Sequence, residues 1–294
     1  LNDDHGTWVA TMIAAHGVIE LPNDSKIAQA VRRYASDSIK TIDNQMSQIS
    51  MVAPAPAAKI YALKTFPADG SGAPSSRVIA AMDRVLTLKK NFKQGLATTP
   101  IAGDGSEDNP FVYDSLDIKV VNMSLGGVTL SGTGEGIKFR PGQEVLIASF
   151  SSRGPTPDGR IGIDIVANGM ASFVQGVDGS VALVSGTSFS APSVAGAAAL
   201  LIGAVPSASA RQIKAALIES ANNHLIANAS LIDQGNGFLD IPGALSRLTS
   251  SSQTPDHDDD DDNDTNALNK KQRSVKHEED DDDDDDKNLG NSKL

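Results

Sequence analysis

Residues 185–196 read Ser-Gly-Thr-Ser-Phe-Ser-Ala-Pro-Ser-Val-Ala-Gly and lie between a short apolar run and a small-residue segment with helical spacing. Pro192 suits the first turn of that helix, where a backbone N–H has no partner to lose. A serine on a tight turn at a helix start exposes its Oγ, and its N–H faces a developing oxyanion. Ser188 is therefore a candidate nucleophile, although a lone serine before a helix is more often a cap.

Outward from this stretch, short apolar runs alternate with helical patterns along the chain. The runs have the length and bounding turns of strands, and the patterns repeat their apolar residues every three to four positions. The strand candidates are residues 59–66, 118–123, 145–150, 163–167 and 181–184, and the helix candidates are residues 7–15, 75–90, 192–204 and 207–222. This alternation predicts a parallel sheet in a layered α/β fold.

The net charge of −12 belongs mostly to the end of the chain. Residues 250–294 hold 16 of the 37 acidic residues and 6 of the 25 basic ones, so residues 1–249 are nearly neutral. A neutral body has no electrostatic attraction for nucleic acid or an anionic membrane, and we expect neither as a partner. Because the acidic segment has few apolar residues, we predict a domain over 1–249 and a disordered Asp-rich tail over 250–294.

Composition excludes several kinds of site. The chain has no cysteine, which rules out disulfides, thiolate catalysis and cysteine-ligated metal centres. The histidines lack zinc-binding spacing, so we predict no metal site. The longest nearly apolar run, residues 194–205, has about 12 residues against the roughly 20 that cross a bilayer, so we predict no membrane span.

A second candidate lies near the start of the sequence, where His5-Gly6-Thr7 opens a segment with helical spacing. Histidine changes charge near neutral pH, so a histidine at a helix start is suited to take a proton from a hydroxyl. By itself, however, a His-Gly pair is more often a turn than a general base.

Taken together, these segments resemble the subtilases, the subtilisin-like serine proteases. Residues 186–196 are similar to the family's Gly-Thr-Ser-x-(Ala/Ser)-x-Pro block, and residues 5–10 to its His-Gly-Thr segment. Similar blocks follow in family order at residues 52–64, 121–127, 149–169, 209–221 and 235–240. The resemblance implies a three-layer α/β fold, a mainly parallel sheet with helices on both faces, in which Ser188 is the nucleophile and His5 the general base.

The resemblance also implies where substrate binds. Ser124, Leu125 and Gly126 would end an edge strand that holds an extended peptide by main-chain hydrogen bonds. The same residues also fit an ordinary buried strand and turn. Thr187 and the backbone N–H of Ser188 would support the oxyanion.

Two parts of the family pattern are not found. The family's triad Asp precedes its His segment, whereas this sequence opens with that segment, and Asp3 and Asp4 are too close to His5 for the role. Residues 128–147 lack the Gly-Asn turn whose Asn donates to the oxyanion. We therefore expect an incomplete or rearranged member of the family, with the Asp that orients His5 outside this chain.

The function expected from this resemblance is serine endopeptidase chemistry through an acyl-enzyme on peptide or protein substrates. The alternatives are an inactive module that binds peptides and an incomplete fragment. The chemistry requires no cofactor, and the resemblance allows structural calcium without assigning ligands. It also implies a secreted or cell-envelope location. The sequence predicts no oligomeric state.

Overall fold

The computed structural model describes residues 4–67, 71–106, 108–125, 145–226 and 228–251. In chain order the elements are α1 (His5–Ala14), β1 (His16–Pro22), α2 (Lys26–Tyr34), a 3-10 turn (Ser36–Ser38), β2 (Ile39–Thr41), β3 (Met46–Val52), α3 (Ser75–Lys93), β4 (Pro100–Ala102), β5 (Val112–Tyr113), β6 (Ser172–Gln175), β7 (Val181–Val184), α4 (Thr187–Ala204), α5 (Ala210–Glu219), α6 (Leu231–Gln234) and α7 (Ile241–Ser251). The chain divides into two units, Leu1–Gln253 and Thr254–Leu294, and the second lies outside the described residues. The predicted boundary at 249/250 stays a prediction.

Helices and strands both build the described part of the chain, and the predicted α/β class is confirmed. The sheets are small, with strand orders β1-β3-β2, β4-β5 and β6-β7, and every ladder is antiparallel. Between the described residues, parallel pairing occurs at two isolated bridges, Val145 with Ile226 and Val166 with Phe238. Among the described residues, these two bridges are the parallel pairing that corresponds to the parallel sheet expected from the sequence.

Four of the five predicted strands, residues 59–66, 118–123, 145–150 and 163–167, form no ladder in the described part of the chain. Residues 59–66 and 118–123 carry the expected apolar residues but are not paired as strands. Exposure alternates along the second segment, and Val121 and Met123 are 51% and 50% exposed. An apolar alternation specifies which face prefers burial, but a strand forms only where a neighbouring backbone accepts and donates the ladder hydrogen bonds.

Residues 23–50 form a short helix, a 3-10 turn and part of an antiparallel sheet. Ile49 of β3 faces Ile19 of β1 and Ile39 of β2, and it is 1% exposed. Ala28 of α2 is completely buried within this unit. The polar composition of these residues gave no signal for a sheet in the sequence, because a one-sided sheet needs apolar residues on one face only.

The C-terminal helices form the main described core. Seven side chains from α4, α5 and α7 make one buried cluster: Ala197, Leu201, Ile213, Ala216, Leu217, Ala244 and Leu248. Ser209 begins α5 with a capping box, because its Oγ accepts from Gln212 N–H and the Gln212 side chain accepts from Ser209 N–H. This cluster holds α4, the helix that starts at the candidate nucleophile.

Helix α4 is also long and apolar enough to cross a membrane, by length and composition alone. A third of it is buried inside the fold, and it contacts α1, α5 and α7. Core helices of folded domains meet the same criteria, and the packing of α4 is that of a core helix. The sequence count missed its apolar length because small and hydroxyl residues extend the run.

Candidate active site

The two candidate catalytic residues lie at the starts of two helices that pack together, His5 on α1 and Ser188 on α4. Gly196 permits the close approach of these helices. A β-carbon built on Gly196 would lie 3.2 Å from the Ile13 carbonyl oxygen and 3.1 Å from Pro54 Cβ. The small residue therefore sets how near α1 comes to the helix that carries Ser188.

The C-terminal end of α1 is hydrogen-bonded to the segment that follows β3. The N–H of Ala53 donates to Ala15 O at 2.8 Å, and the N–H of Ala55 donates to Ile13 O at 3.0 Å. These bonds satisfy carbonyls that a helix end leaves unpaired. Residues 53–55, part of the block at residues 52–64, thus hold the C-terminal end of α1.

The N-terminal end of α1 packs against the β6–β7 hairpin. A β-carbon on Gly176, in the hairpin turn, would lie 2.7 Å from Asp4 Oδ2. Thr11 Oγ1 donates towards Gln175 O at 3.4 Å and towards Thr7 O at 3.0 Å. Asp4 therefore directs its carboxylate to the hairpin and helps to anchor the helix that carries His5.

The hairpin turn is itself held by hydrogen bonds. Gly176 N–H donates to Ser180 O at 2.8 Å, and Ser180 N–H donates to Asp178 Oδ1 at 2.8 Å. The bonds from Ser180 hold the pKa of Asp178 below its ordinary value. The turn is thus a defined platform for the start of α1.

His5 lies beside the residue that follows the candidate nucleophile. The ring centroids of His5 and Phe189 are 5.9 Å apart, with an interplanar angle of 56°. Phe189 is 4% exposed, whereas His5 and Ser188 are half-buried and Thr187 is exposed. The structure therefore brings together the two segments that the sequence singled out, although they are 183 positions apart.

The turn before Ser188 is braced by residues 169–171. Gly186 N–H donates to Gly169 O at 2.8 Å, and Ala171 N–H donates to Ser185 Oγ at 3.0 Å. A β-carbon on Gly169 would lie 2.4 Å from Ser190 Oγ. Sequence reasoning missed Ser185 as a support, since only the fold shows that its hydroxyl accepts a distant N–H.

Ser188 lies in the first turn of α4, and Gly186 is the N-cap. The first N–H groups of a helix have no partner within it, and the helix dipole adds positive potential there. Oxyanion support by Ser188 and Thr187 stays a prediction, with Ser188 at a helix start where such donors are available.

The predicted substrate-binding residues are only partly described. Ser124 Oγ accepts from Asn122 Nδ2 at 3.0 Å, and Leu125 is 40% exposed. Gly126 lies outside the described residues, as do residues 128–144 of the segment expected to lack the oxyanion Asn. Substrate binding by residues 124–126 stays a prediction.

A second motif block is tied to the C-terminal elements. Arg153 Nη1 contacts Asp233 Oδ1 at 2.9 Å. A hydrogen bond from Ser230 and the charge of Arg153 hold the pKa of Asp233 below its ordinary value.

Among the described residues, no group of three or more His, Asp or Glu side chains is placed to hold a metal ion.

Comparison with known proteins finds a partial match to one family. Residues 142–272 match the model of the subtilase family, a range that contains Ser188 but neither His5 nor residues 124–126. The chain is 33% identical over 178 residues to the membrane-bound transcription factor site-1 protease of Mus musculus, covering 58% of this chain and 15% of that protein. It is 29% identical over 156 residues to the subtilisin-like protease SBT1.5 of Arabidopsis thaliana, covering 48% of this chain and 20% of that protein.

The chain thus spans no more than a fifth of the length of these relatives. Among solved structures, the CspB protease of Clostridium perfringens is 28% identical, with a TM-score of 0.33, over 38% of this chain and 25% of that one. The chain resembles the subtilase family, and residues 142–272 are the part that the family model matches.

Proposed function

We propose that this chain carries the nucleophile and the general base of a serine endopeptidase. Ser188 Oγ attacks a peptide carbonyl carbon while His5 takes the hydroxyl proton, and His5 then gives that proton to the leaving amine as the C–N bond breaks. Water hydrolyses the resulting acyl-enzyme by the reverse proton transfers. The observation that carries this proposal is the 5.9 Å between the ring centroids of His5 and Phe189, the residue after Ser188.

The start of α4 would supply the electrostatic part of the reaction. The N–H of Ser188 lies in the first helical turn, and the exposed Thr187 precedes it. Negative charge that develops on the carbonyl oxygen is stabilised by such preorganised donors. The hydrogen bonds that Gly186 N–H donates to Gly169 O and that Ala171 N–H donates to Ser185 Oγ support this role, because they fix the turn before the reaction begins.

The substrate would be a peptide bound in extended form along residues 124–126. Nearly neutral charge over residues 1–249 suits peptides of mixed charge. The match of residues 142–272 to the subtilase family model supports a peptide or protein substrate, and a secreted or cell-envelope location is part of the same proposal. Serine chemistry needs no cofactor, and a structural role for calcium stays a prediction without assigned ligands.

The second candidate is a module that binds extended peptides without cutting them. It is favoured by the exposed apolar side of residues 119–125, where Val121, Met123 and Leu125 alternate with half-buried residues. Such a segment, which forms no ladder with the described residues, would bind an extended peptide through its backbone whether or not a nucleophile is active. The two candidates differ in one observable, the reactivity of Ser188.

Labelling with a fluorophosphonate tests that reactivity, because the probe forms a stable bond only with an activated serine. We expect an adduct that peptide mapping places on Ser188 and that is lost in His5→Ala. Ser250→Ala is the matched control, since Ser250 Oγ donates to Ser246 O within α7 and has no part in the proposed chemistry. Absence of labelling on a chain shown to be folded by circular dichroism would favour the non-cutting module.

A further inference from the structure

We propose that Phe189 is a positioning residue for His5: its ring holds the imidazole in the orientation from which it reaches Ser188. The proposal rests on the proposed endopeptidase function and adds a residue to it. In this proposal Phe189 contacts neither the scissile bond nor the transferred proton. It acts through the ring of the base.

The contact has the geometry of a specific aromatic pair. The centroids are 5.9 Å apart and the rings are tilted by 56°. Aromatic pairs prefer tilted or offset arrangements at centroid distances of about 4.5–7 Å, because ring edges are positive and ring faces negative. The imidazole therefore has a preferred orientation against this ring.

The ring of Phe189 is itself fixed in place. Phe189 is 4% exposed, and its Cε2 and Cδ2 would lie 3.6 Å and 3.7 Å from a β-carbon on Gly186. Its N–H donates to Gly186 O at 3.1 Å, and its carbonyl accepts from Ser193 Oγ at 2.9 Å. The ring thus belongs to the same rigid turn as Ser188.

This arrangement couples the base to the nucleophile through one residue. Ser188 and Phe189 are consecutive, so any shift of the α4 start moves the nucleophile and the ring together. A general base must lie within hydrogen-bond reach of its proton, and misplacement by about 1 Å costs on the order of a hundredfold in rate. Loss of the ring face should therefore lower the rate of the chemical step rather than the affinity for substrate.

The test compares variants in fluorophosphonate labelling, with the maximal rate and the half-saturating probe concentration measured separately. We expect Phe189→Leu to lower the maximal rate about tenfold or more at an unchanged half-saturating concentration. Phe189→Tyr, which keeps the ring, should recover most of the rate. Leu201→Ala controls for lost packing in α4, because Leu201 is completely buried in the helical core.

A second readout does not depend on activity. In a Ser188→Ala background, the ring-proton NMR resonances of His5 should move when Phe189 becomes Leu, because the aromatic ring current is removed. They should stay in place in Leu201→Ala. If the wild-type chain takes no label, the endopeptidase proposal fails, and a moved His5 resonance still supports the contact. Wild-type labelling kinetics or unmoved His5 resonances in Phe189→Leu would overturn the positioning role.

Discussion

The carboxylate of Asp4 lies against the backbone of Gly176, where a β-carbon would come within 2.7 Å of Asp4 Oδ2. Asp4 precedes His5, and Gly176 lies in the turn between β6 and β7. The hairpin therefore helps to determine where the end of α1 that carries His5 lies. The contact between Asp4 and Gly176 links the start of α1 to an element other than α4.

The first prediction concerns this docking contact. Gly176→Ala should displace Asp4 and slow fluorophosphonate labelling of Ser188, because the added methyl group occupies the space of the carboxylate. Gly203→Ala is the matched control, since a β-carbon there meets nothing within 4 Å. It should leave labelling unchanged and raise helix stability by up to about 1 kcal/mol. Equal labelling in the two variants would show that docking at Gly176 does not place His5.

A second prediction concerns the crossing of α1 and α4. Gly196→Leu should push the helices apart, because even a β-carbon would lie 3.2 Å from Ile13 O. We expect destabilisation of about 1–3 kcal/mol, as for other overpacked sites, together with a loss of labelling. Urea unfolding and labelling measured on the same preparations check both effects. Gly196→Leu with wild-type labelling would refute a role for this crossing in the site.

The helical core should affect stability without affecting chemistry. Leu201→Ala removes a completely buried side chain from the cluster between α4, α5 and α7. We expect a loss of about 2–5 kcal/mol in the free energy of unfolding. The fraction that remains folded should label at the wild-type rate. Slower labelling of the folded fraction would mean that the core transmits strain to Ser188.

Acid stability should depend on the ion pairs of Asp117. Its carboxylate accepts from Lys89 of α3 and lies 2.9 Å from Lys119 Nζ. The hydrogen bond from Lys89, followed by that from Lys119, holds the pKa of Asp117 below its ordinary value. A lowered folded-state pKa gives stability that is present above the unfolded pKa and is lost as pH falls through the folded pKa.

The free energy of unfolding should therefore fall as pH drops below about 4, and Asp117→Asn should make this fall shallower. Asp83→Asn removes an exposed carboxylate on α3, the helix that carries Lys89, and should change this slope less. Because these pairs are partly exposed, salt should weaken the effect. Parallel pH profiles for wild type and Asp117→Asn would contradict it.

Local patterns predicted the helices well. The expected segments 75–90 and 207–222 correspond to α3 (Ser75–Lys93) and α5 (Ala210–Glu219). The helix expected over 192–204 begins earlier, at Thr187, because the first turn of α4 includes the Ser188 motif. Helical periodicity arises from neighbours in sequence, which explains why it can be read from the chain.

Long-range pairing could not be read in the same way. The sheet within residues 16–52 depends on the register of Ile19 with Ile49, and no local pattern encodes it. Likewise, the contact of Asp4 with Gly176 joins distant segments through an acid and a glycine of ordinary appearance. Phe189 stood in the first motif quoted, but its role beside His5 is visible only when α1 and α4 are placed together.

The most direct measurement of the central claim is a double-mutant cycle of peptide hydrolysis with His5→Ala, Ser188→Ala and the double variant. Residues that act as one catalytic unit are strongly non-additive, so the double variant should be no slower than Ser188→Ala alone. His5→Ala alone should lose about as much rate as Ser188→Ala. Additive losses, or hydrolysis that survives either substitution, would contradict the assignment of His5 and Ser188 as base and nucleophile of one site.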